Sequence, residues 1–317
     1  MWLENYRPDT LDEVIGHKIL VKKLKALSQS ILSGDNQKCP HIALFGMQGT
    51  GKTTMVYAFL KDTYGQRWKG SLLELNASDE NSIDVVRNKV KKFAKSGVVG
   101  DTIFNFVFLD EADALTPQAQ TALRRIMERN ARRTKFILTA NYPHKLIEPI
   151  KDRLAFSEYR FLALKDVDLA KILGKVVKGE GLRIDEDACL KIIELSKGSA
   201  RRCINLLYVA SLGNKKIRLK NINEIHNSAN DNIMGERLFI ALRKRKFDQS
   251  DKLIEEAHWG MGFSHSIILK SLFECVQKSS MTQKEKINKI KRIGDYLYYC
   301  EISSDPVLQL KCFAREW

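Results

Sequence analysis

Short apolar runs alternate with long amphipathic stretches in the first half of the chain. Four runs are rich in β-branched or aromatic residues, and they cover 42–45, 71–75, 104–109 and 135–139. Such runs, separated by helical stretches, are typical of buried parallel strands joined by crossover helices. The pattern therefore predicts an α/β domain whose parallel sheet ends near Phe161.

The apolar spacing becomes helical after the sheet. From Lys165 onward apolar residues recur at intervals of three and four, which is the period of an amphipathic helix. No strand signal follows Asn227, and the polar stretch 279–286 predicts a break before a last helix that begins at Ile287. We therefore predict three domains: an α/β domain over 1–162, a small helical domain over 163–227 and a helical bundle over 228–317.

The 317 residues carry a formal net charge of +15, and the excess is uneven. Residues 228–317 contain 15 Lys or Arg and 12 Asp or Glu, a net charge of +3, so residues 1–227 carry +12. A basic excess attracts polyanions such as nucleic acids, whereas a well-solvated lysine-rich surface explains it equally well. Charge alone leaves both interpretations open.

Six cysteines are present, and none belongs to a CxxC pair, so zinc-ligand spacing is absent. The N-terminal segment has no apolar signal sequence, and no run approaches the ~20 apolar residues of a membrane span. We therefore expect an intracellular, thiol-reduced protein without a membrane partner. Its compartment would be the cytoplasm or nucleoid in an archaeal or viral setting and the nucleus in a eukaryote.

The segment GMQGTGKT at 46–53 fits the phosphate-loop pattern GxxxxGK[ST]. It follows the apolar run HIALF and precedes a helical stretch, which is the context that this motif requires. A chance match in a glycine-containing turn is the alternative. In the motif's usual role Lys52 reaches the β- and γ-phosphates of ATP and the Thr53 hydroxyl binds Mg²⁺. The predicted ATP ligands in this segment are Gly46, Gly49, Thr50, Gly51, Lys52, Thr53 and Thr54.

Two adjacent carboxylates follow the apolar run at 104–109. Asp110 and Glu111 would lie just beyond the carboxyl end of a strand, where ligands bind in open parallel sheets. Asp110 is expected to hold Mg²⁺, and Glu111 is placed to polarise an attacking water as a general base. The alternative is a solvated acidic helix start, which fits Asp113 best. A helicase would need a second motor domain, and the remaining chain is too short and too helical for one.

Further motifs resemble those of one AAA+ family, the small subunits of replication factor C, which is a sliding-clamp loader. They are WLENYRP (2–8), TLDEVIGH (10–17), LNASDE (75–80), DEADALTPQAQTALRRIME (110–128), FILTAN (136–141) and GSARRCIN (198–205). The resemblance implies an AAA+ P-loop sheet domain, a helical lid and a C-terminal all-helical collar for oligomerisation. Residues 228–317 carry no such signature.

The resemblance also implies roles for individual residues. Asn141 would be the sensor-1 residue, and Arg201 the sensor-2 residue that reaches the phosphates from the lid. With Lys52 and Glu111 they would form the catalytic set, completed in trans by Arg153 acting on a neighbouring subunit's ATP. The residues that would surround adenine and ribose are Leu3, Tyr6, Arg7 and Ile15.

Three positions depart from the family pattern. The family has Ser-Arg-Cys where this chain has Asp152-Arg153-Leu154, and we expect Asp152 to neutralise Arg153 in part. The sensor-2 aspartate is replaced by Ser199, and the loop's usual proline pair by Met47-Gln48. The departures indicate a divergent small subunit.

A basic amphipathic helix is predicted over 84–93. By the resemblance its cationic face tracks the DNA phosphate backbone without reading sequence, although a solvated lysine face is the plain alternative. The DNA-contact candidates are Arg87, Lys91 and Lys92, with Thr116 as a weaker one.

Together these features predict an ATPase subunit of a clamp loader that uses ATP and Mg²⁺ to load a sliding clamp onto primer–template DNA. Its partners would be a large subunit and other small subunits in a pentameric ring, the clamp and the DNA. One alternative is a weakly hydrolysing, nucleotide-binding subunit of an alternative clamp loader. Another is a DNA-translocating AAA+ motor, against which the LNASDE motif argues.

Overall fold

The computed structural model of the protein describes residues 2–34, 39–78, 88–93, 103–156, 159–228 and 231–317. The chain forms two compact units, Met1–Ile222 and Asn223–Trp317. The division of residues 1–227 into separate α/β and helical domains stays a prediction.

A parallel sheet forms the centre of the first unit. Within the described residues its strand order is β2-β3-β4-β1-β5, and β6 pairs with β1 as well. Because the strands are parallel, the carboxyl ends of β1, β3 and β4 meet at one edge, with Phe45 opposite Ala140 and Asn76 opposite Asp110. The strands are β1 (His41–Gly46), β2 (Leu72–Asn76), β3 (Asn105–Asp110), β4 (Thr134–Ala140), β5 (Leu154–Ala155) and β6 (Arg160–Phe161).

Alternate strand residues pack on opposite faces of this sheet. Ile42 and Leu44 belong to one core, and Ala43 and Phe45 belong to the other. Both faces are covered, which explains why the sequence shows continuous apolar runs and confirms the predicted α/β fold. The helices of this layer are α1 (Trp2–Asn5), α2 (Lys18–Leu32), α3 (Lys52–Tyr64), α4 (88–93), α5 (Pro117–Asn130) and α6 (Glu148–Lys151).

Helices follow the sheet, as the spacing of apolar residues at three and four predicted. Leu169, Leu173 and Val176 form one buried stripe of the first of these helices. A two-stranded parallel ribbon, β7 (Arg183–Ile184) with β8 (Lys216–Ile217), joins them and was absent from the sequence prediction. The helices are α7 (Asp166–Gly179), α8 (Glu186–Ser196), α9 (Ala200–Ser211) and α10 (Leu219–Ser228).

The second unit is helical, and its core gathers residues of α11 to α15. The predicted break at 279–286 is wrong in its second half, because α14 begins at Gln283. Thr282 accepts the N–H of Glu285, whose carboxylate accepts the N–H of Thr282 in return at 2.9 Å. This capping box starts the helix four residues earlier than Ile287. The helices are α11 (Asp231–Arg243), α12 (Phe247–Glu255), α13 (His265–Lys278), α14 (Gln283–Ile302) and α15 (Pro306–Glu316).

Among the described residues, no helix has both the length and the apolar character needed to cross a membrane.

Candidate nucleotide-binding site

A cavity of about 310 Å³ lies between the carboxyl edge of the sheet and helices α7 and α9. Its volume is in the range of small-molecule sites. The predicted Gly46 does not line it, although the carbonyl of that residue binds a lining side chain. The predicted site residues that line the cavity are Leu3, Tyr6, Arg7, Ile15, Gly49, Thr50, Gly51, Lys52, Thr53, Thr54, Asp110, Glu111, Asn141 and Arg201.

The phosphate loop is joined directly to helix α9. Gly49 has φ +77°, and a Cβ placed there would lie 2.1 Å from Oγ of Ser199. The carbonyl of Gly49 accepts the N–H of Ala200 at 3.0 Å. Glycine is therefore required at this position both by the backbone conformation and by the close approach of the helix.

Lys52 is 8% exposed, and its ammonium group is held by three acceptors. Nζ donates to the carbonyls of Gly46 at 2.8 Å and Met47 at 2.9 Å, and to Oδ1 of Asn141 at 2.8 Å. Burial lowers the pKa of Lys52, and the charge of Asp110 opposes that shift. An ammonium group has three N–H donors, so each donor has an acceptor within the protein.

Asp110 is oriented by three donors. Oδ2 accepts the hydroxyl of Thr53 at 2.9 Å, and Oδ1 accepts the hydroxyl of Thr139 and the N–H of Glu111. A carboxylate beside a hydroxyl is an oxygen donor set that fits Mg²⁺, which commonly takes its other ligands from water and phosphate. Consistent with such a sparse set, the described residues contain no cluster of three or more His, Cys, Asp or Glu able to hold a metal.

Glu111 lies in the left-handed region, with φ 54° and ψ 42°. This conformation is uncommon for residues other than glycine. Strained backbone of this kind is often found at functional sites. The N–H of Glu111 bonds to Asp110 and, at 3.2 Å, to Oγ1 of Thr139, which fixes the turn. The turn brings Glu111 to the cavity wall, and within the described residues its carboxylate accepts no hydrogen bond.

Asp113 holds the loop that carries Asn141. Its carboxylate accepts the N–H of Asn141 at 3.2 Å and of Tyr142 at 3.0 Å. The sequence interpretation of Asp113 as a plain helix start missed this bond, which joins residues 28 positions apart. Asn141 is therefore fixed through its backbone while its side chain bonds to Lys52.

The N-terminal segment closes another side of the cavity. The Tyr6 hydroxyl donates to Glu180 at 2.8 Å, and a Cβ on Gly179 would lie 2.3 Å from that hydroxyl oxygen. The guanidinium of Arg7 lies 4.7 Å from the ring centre of Tyr57. These contacts place Tyr6 against the end of α7 and Arg7 against α3.

His17 also lines the cavity, and the sequence analysis missed it. Nε2 lies 3.1 Å from the carbonyl oxygen of Thr50, and Nδ1 lies 3.2 Å from the hydroxyl of Tyr159. Burial lowers the pKa of His17, which favours a neutral ring. A neutral ring with its proton on Nε2 donates to Thr50 and accepts from Tyr159. The available signal was the position of His17 at the end of the TLDEVIGH motif.

The two remaining predicted arginines lie in different places. Arg201 is in the first turn of α9 at the cavity, and its charge contributes to the lowered pKa of Lys52 after the effect of burial. Arg153 does not line the cavity; it donates to the carbonyl of Pro149 and to Oε1 of Glu128, each at 2.6 Å. Glu128, and not the adjacent Asp152, is the carboxylate that bonds to Arg153, so the partial neutralisation expected of Asp152 stays a prediction.

The DNA-contact candidates that the structure describes, Lys91, Lys92 and Thr116, do not line the cavity. In α4, Lys92 is exposed and Lys91 half-buried, while Val90 packs into the core. Arg87 lies outside the described residues. Thr116 is exposed and caps α5 by accepting the N–H of Ala119 at 3.2 Å. The contact of these residues with DNA stays a prediction.

Known proteins resemble this chain over nearly its whole length. Residues 42–161 match the ATPase family associated with various cellular activities (AAA). The replication factor C small subunit of Methanococcus vannielii is 37% identical over 93% of this chain and 90% of its own length. That of Archaeoglobus fulgidus is 34% identical over 99% of this chain and 95% of its own length.

Solved structures resemble it in fold. The Holliday junction branch migration motor RuvB of Thermotoga maritima superposes with a TM-score of 0.58 over 75% of this chain and 80% of its own, at 19% identity. A similarity at this identity concerns the fold. The matches in sequence are stronger evidence: the chain is an AAA ATPase and belongs to the replication factor C small-subunit family.

Proposed function

We propose that this chain is an ATPase subunit of a sliding-clamp loader, with ATP bound in the described cavity beside a neighbouring subunit. The observation that carries the proposal is the convergence of Lys52, Asp110, Glu111 and Asn141 on one cavity, while Arg153 lies outside it. Lys52, Asp110, Glu111 and Asn141 would act on this chain's own ATP, and Arg153 would act on the ATP of another subunit.

ATP would bind with its base between the N-terminal segment and α7, and its phosphates on the loop. Backbone N–H groups of the loop and the start of α3 favour anionic phosphate. Lys52 would exchange at least one of its protein acceptors for a phosphate oxygen. Thr53 and Asp110 would hold Mg²⁺, which supplies neutralisation of phosphate charge when bound.

Hydrolysis would use Glu111 as general base. The carboxylate would take a proton from the attacking water as the water oxygen bonds to the γ-phosphorus and the bond to ADP breaks. Asn141 would orient that water or the γ-phosphate, and Arg201 would contact the phosphates from α9. The hydrogen bond between Ala200 and Gly49 would couple a movement of α9 to the phosphate loop.

The work of the cycle would be mechanical. The ATP-bound ring of large and small subunits would open a sliding clamp and hold primer–template DNA, and hydrolysis would release both. Lys91 and Lys92 on α4, with Arg87, would contact phosphates in the central channel. DNA would undergo no covalent change.

Reconstitution tests this proposal. The chain is co-expressed with the large subunit and sliding clamp of the same genome, and clamp retention on primed circular DNA is measured with ATP and with a non-hydrolysable analogue. We expect a stable complex, clamp loading that needs ATP, and ATPase stimulated by clamp and DNA together. DNA-stimulated ATPase with unidirectional movement and no clamp dependence would instead identify a translocating motor. Loading without turnover at this chain's site would identify a weakly hydrolysing subunit.

A further inference from the structure

The second unit carries a concentration of positive charge that the ATPase chemistry does not use. We name as the basic patch six of the cations at the end of α11, in the turn before α12, and on the first half of α14. Its members are Arg243, Lys244, Arg245, Lys246, Lys289 and Arg292. Residues 228–317 carry a net charge of only +3, so the patch is a local concentration rather than a general property of this unit.

Two aromatic rings join the two halves of the patch. Phe239 and Trp317 meet edge to face, with ring centres 6.0 Å apart. The guanidinium of Arg243 lies 5.9 Å from the ring centre of Phe239, and Nζ of Lys289 lies 4.6 Å from that of Trp317. The cations of α11 and α14 are therefore held on one ring pair, in a fixed relation to each other.

Like charges lie close together here, and one carboxylate, Glu285, offsets them in part. Among the residues that the structure describes, none of the six cations forms an ion pair. Glu285 hydrogen-bonds to Thr282, and its carboxylate also interacts electrostatically with Arg243 and Lys289, so it offsets part of the charge of the patch. Burial lowers the pKa of Lys289, and the charges of Arg292 and Arg245 lower it further.

The turn before α12 keeps its cations outside the core. Arg245 adopts the left-handed conformation with φ 50°, which is uncommon for a residue with a side chain. The N–H groups of Arg245 and Lys246 bond back to Leu242 and Ala241, each at 3.0 Å, and close the turn. Arg243 to Lys246 are all exposed. The turn therefore presents four consecutive cations to solvent.

We propose that the basic patch binds the phosphate backbone of a nucleic-acid strand, independently of the ATP site. Repulsion among the cations is relieved when negatively charged phosphates bind. The cations in turn displace counterions condensed on the nucleic acid, and the release of those counterions favours binding. Arginine side chains suit phosphate because the guanidinium donates two parallel hydrogen bonds.

An acidic protein segment is the other polyanion to consider. A docked segment would need an apolar groove beside the cations for its affinity. The exposed aromatic residues of α14, Tyr298 and Tyr299, lie about 13 Å or more along the helix from Lys289, at 1.5 Å per residue. The rings that do adjoin the cations are half-buried and engaged with each other. Apart from the exposed side chains of Ile240 and Ile287, the patch is a charged surface, which favours a phosphate backbone.

The test measures the salt dependence of nucleic-acid binding by the full-length chain without nucleotide. Fluorescence anisotropy with a labelled 40-mer of oligo-dT and with a 20-base-pair duplex is recorded between 50 and 200 mM salt. The variant is Arg245→Gln, Lys289→Gln and Arg292→Gln together. The matched control, Lys252→Gln, Lys270→Gln and Lys278→Gln, removes the same charge from α12 and α13. Circular dichroism checks folding, and the exposed pair Arg245→Gln with Arg292→Gln is used if Lys289→Gln unfolds the unit.

We expect the triple variant to reduce the slope of log affinity against log salt by about 2 on oligo-dT and by slightly more on the duplex, at about 0.7 and 0.9 per phosphate contact. The control variant should change the slope of log affinity against log salt by less than half of that amount. The duplex and oligo-dT arms identify which form of nucleic acid binds more tightly. An equal slope in variant and control would overturn the proposal.

Labelled poly-glutamate is the competing probe. An affinity for poly-glutamate that falls in the variant as much as that for oligo-dT would overturn the assignment to nucleic acid. The same titration with Lys91→Gln and Lys92→Gln separates α4 from the patch. Loss of binding in the α4 variant alone would overturn the proposed role of the basic patch and leave the clamp-loader proposal intact. Loss of binding in the patch variant alone would support the basic patch and overturn the proposed DNA contact of α4.

Discussion

Nζ of Lys52 donates to Oδ1 of Asn141 at 2.8 Å, so the cation of the phosphate loop and the polar residue after β4 bind each other directly. The residues are 89 positions apart and meet because β1 and β4 are parallel neighbours whose carboxyl ends coincide. The same ammonium group also bonds to two loop carbonyls. In the proposed ATP complex, we expect a phosphate on Lys52 to compete with Asn141, and its binding would release the amide of Asn141 toward the reacting end of the nucleotide.

This competition predicts opposite effects of Asn141→Ala on binding and on catalysis. The variant removes one acceptor of Lys52, so ATP affinity should stay the same or rise by less than about tenfold, given a net worth of roughly 1 kcal/mol per hydrogen bond. Hydrolysis should fall by about 10²-fold, since a group that orients the reacting atoms is lost. Nucleotide fluorescence and single-turnover hydrolysis separate the two effects.

Lys52→Ala is the reference for that experiment, because it should lose most ATP affinity while circular dichroism shows an intact fold. If Asn141→Ala weakens ATP binding as much as Lys52→Ala does, Asn141 contributes to affinity and the competition is wrong.

Glu111→Gln should keep ATP affinity and reduce turnover by roughly 10²-fold or more, because the amide has the shape of the carboxylate and cannot accept the proton. Glu111→Gly provides a matched variant: glycine relaxes the left-handed backbone at φ 54° but also lacks the base. Both variants should hydrolyse ATP slowly. The glycine variant should unfold at a temperature no lower than that of the glutamine variant. Wild-type turnover in Glu111→Gln would show that another group activates the water.

Stability should fall in mild acid because of His41. Burial lowers the pKa of His41 from 6.5 to about 4, and Nδ1 of the ring accepts the N–H of Phe136 at 3.0 Å, which requires a neutral ring nitrogen. The unfolded chain takes up the proton first, so this contribution is complete above pH 6.5 and is lost as the pH falls toward 4. Its upper limit is roughly 3.5 kcal/mol, at about 1.4 kcal/mol per tenfold change in affinity for the proton.

Urea unfolding of the wild type and of His41→Gln between pH 7 and pH 4.5 measures this contribution. The wild type should lose stability more steeply than the variant, which has no ring to protonate. Parallel pH dependences would assign the acid sensitivity to other groups.

Local patterns in the sequence predicted the sheet and the residues at its edge. Gly46 to Thr53 and Asp110-Glu111 each occupy a strand end, and a parallel sheet necessarily brings strand ends together. The lid contact was not predictable in the same way, because it depends on how α9 packs on the loop, where Ser199 closes on Gly49. The pairing of Arg153 with Glu128 likewise depends on the packing of α5 and α6, whereas Asp152 was simply its neighbour in sequence. The start of α14 at Gln283 is predictable from the sequence, because Thr282 and Glu285 form the Thr-x-x-Glu pattern of a capping box.

Arg153 provides the test of the assembly. An arginine that stabilises the transferring phosphoryl group contributes roughly 10³- to 10⁵-fold in rate. Because Arg153 lies outside this chain's own cavity, Arg153→Ala should leave ATP binding to the isolated chain intact and reduce hydrolysis at the adjacent site of the assembled complex. A complex with Lys52→Ala in one subunit and Arg153→Ala in its neighbour, scored for DNA-stimulated ATPase, locates the affected site. Loss of binding in the isolated chain would place the action of Arg153 in cis.

Glu128 determines whether this arginine is available. Arg124 and Arg153 both bond to its carboxylate and hold the pKa of Glu128 below its usual range, so the carboxylate stays charged and competes with a neighbour's phosphate for the guanidinium. Glu128→Gln weakens that competitor, so the assembled complex should hydrolyse ATP at the wild-type rate or faster, and Arg124→Ala should leave hydrolysis within a few-fold of wild type.

If Arg153→Ala has no effect in any subunit position while Glu128→Gln lowers thermal stability, the pair is a structural contact between α5 and the end of α6. In that case the changed flanks Asp152 and Leu154 mark a subunit whose outward face no longer serves its neighbour's hydrolysis.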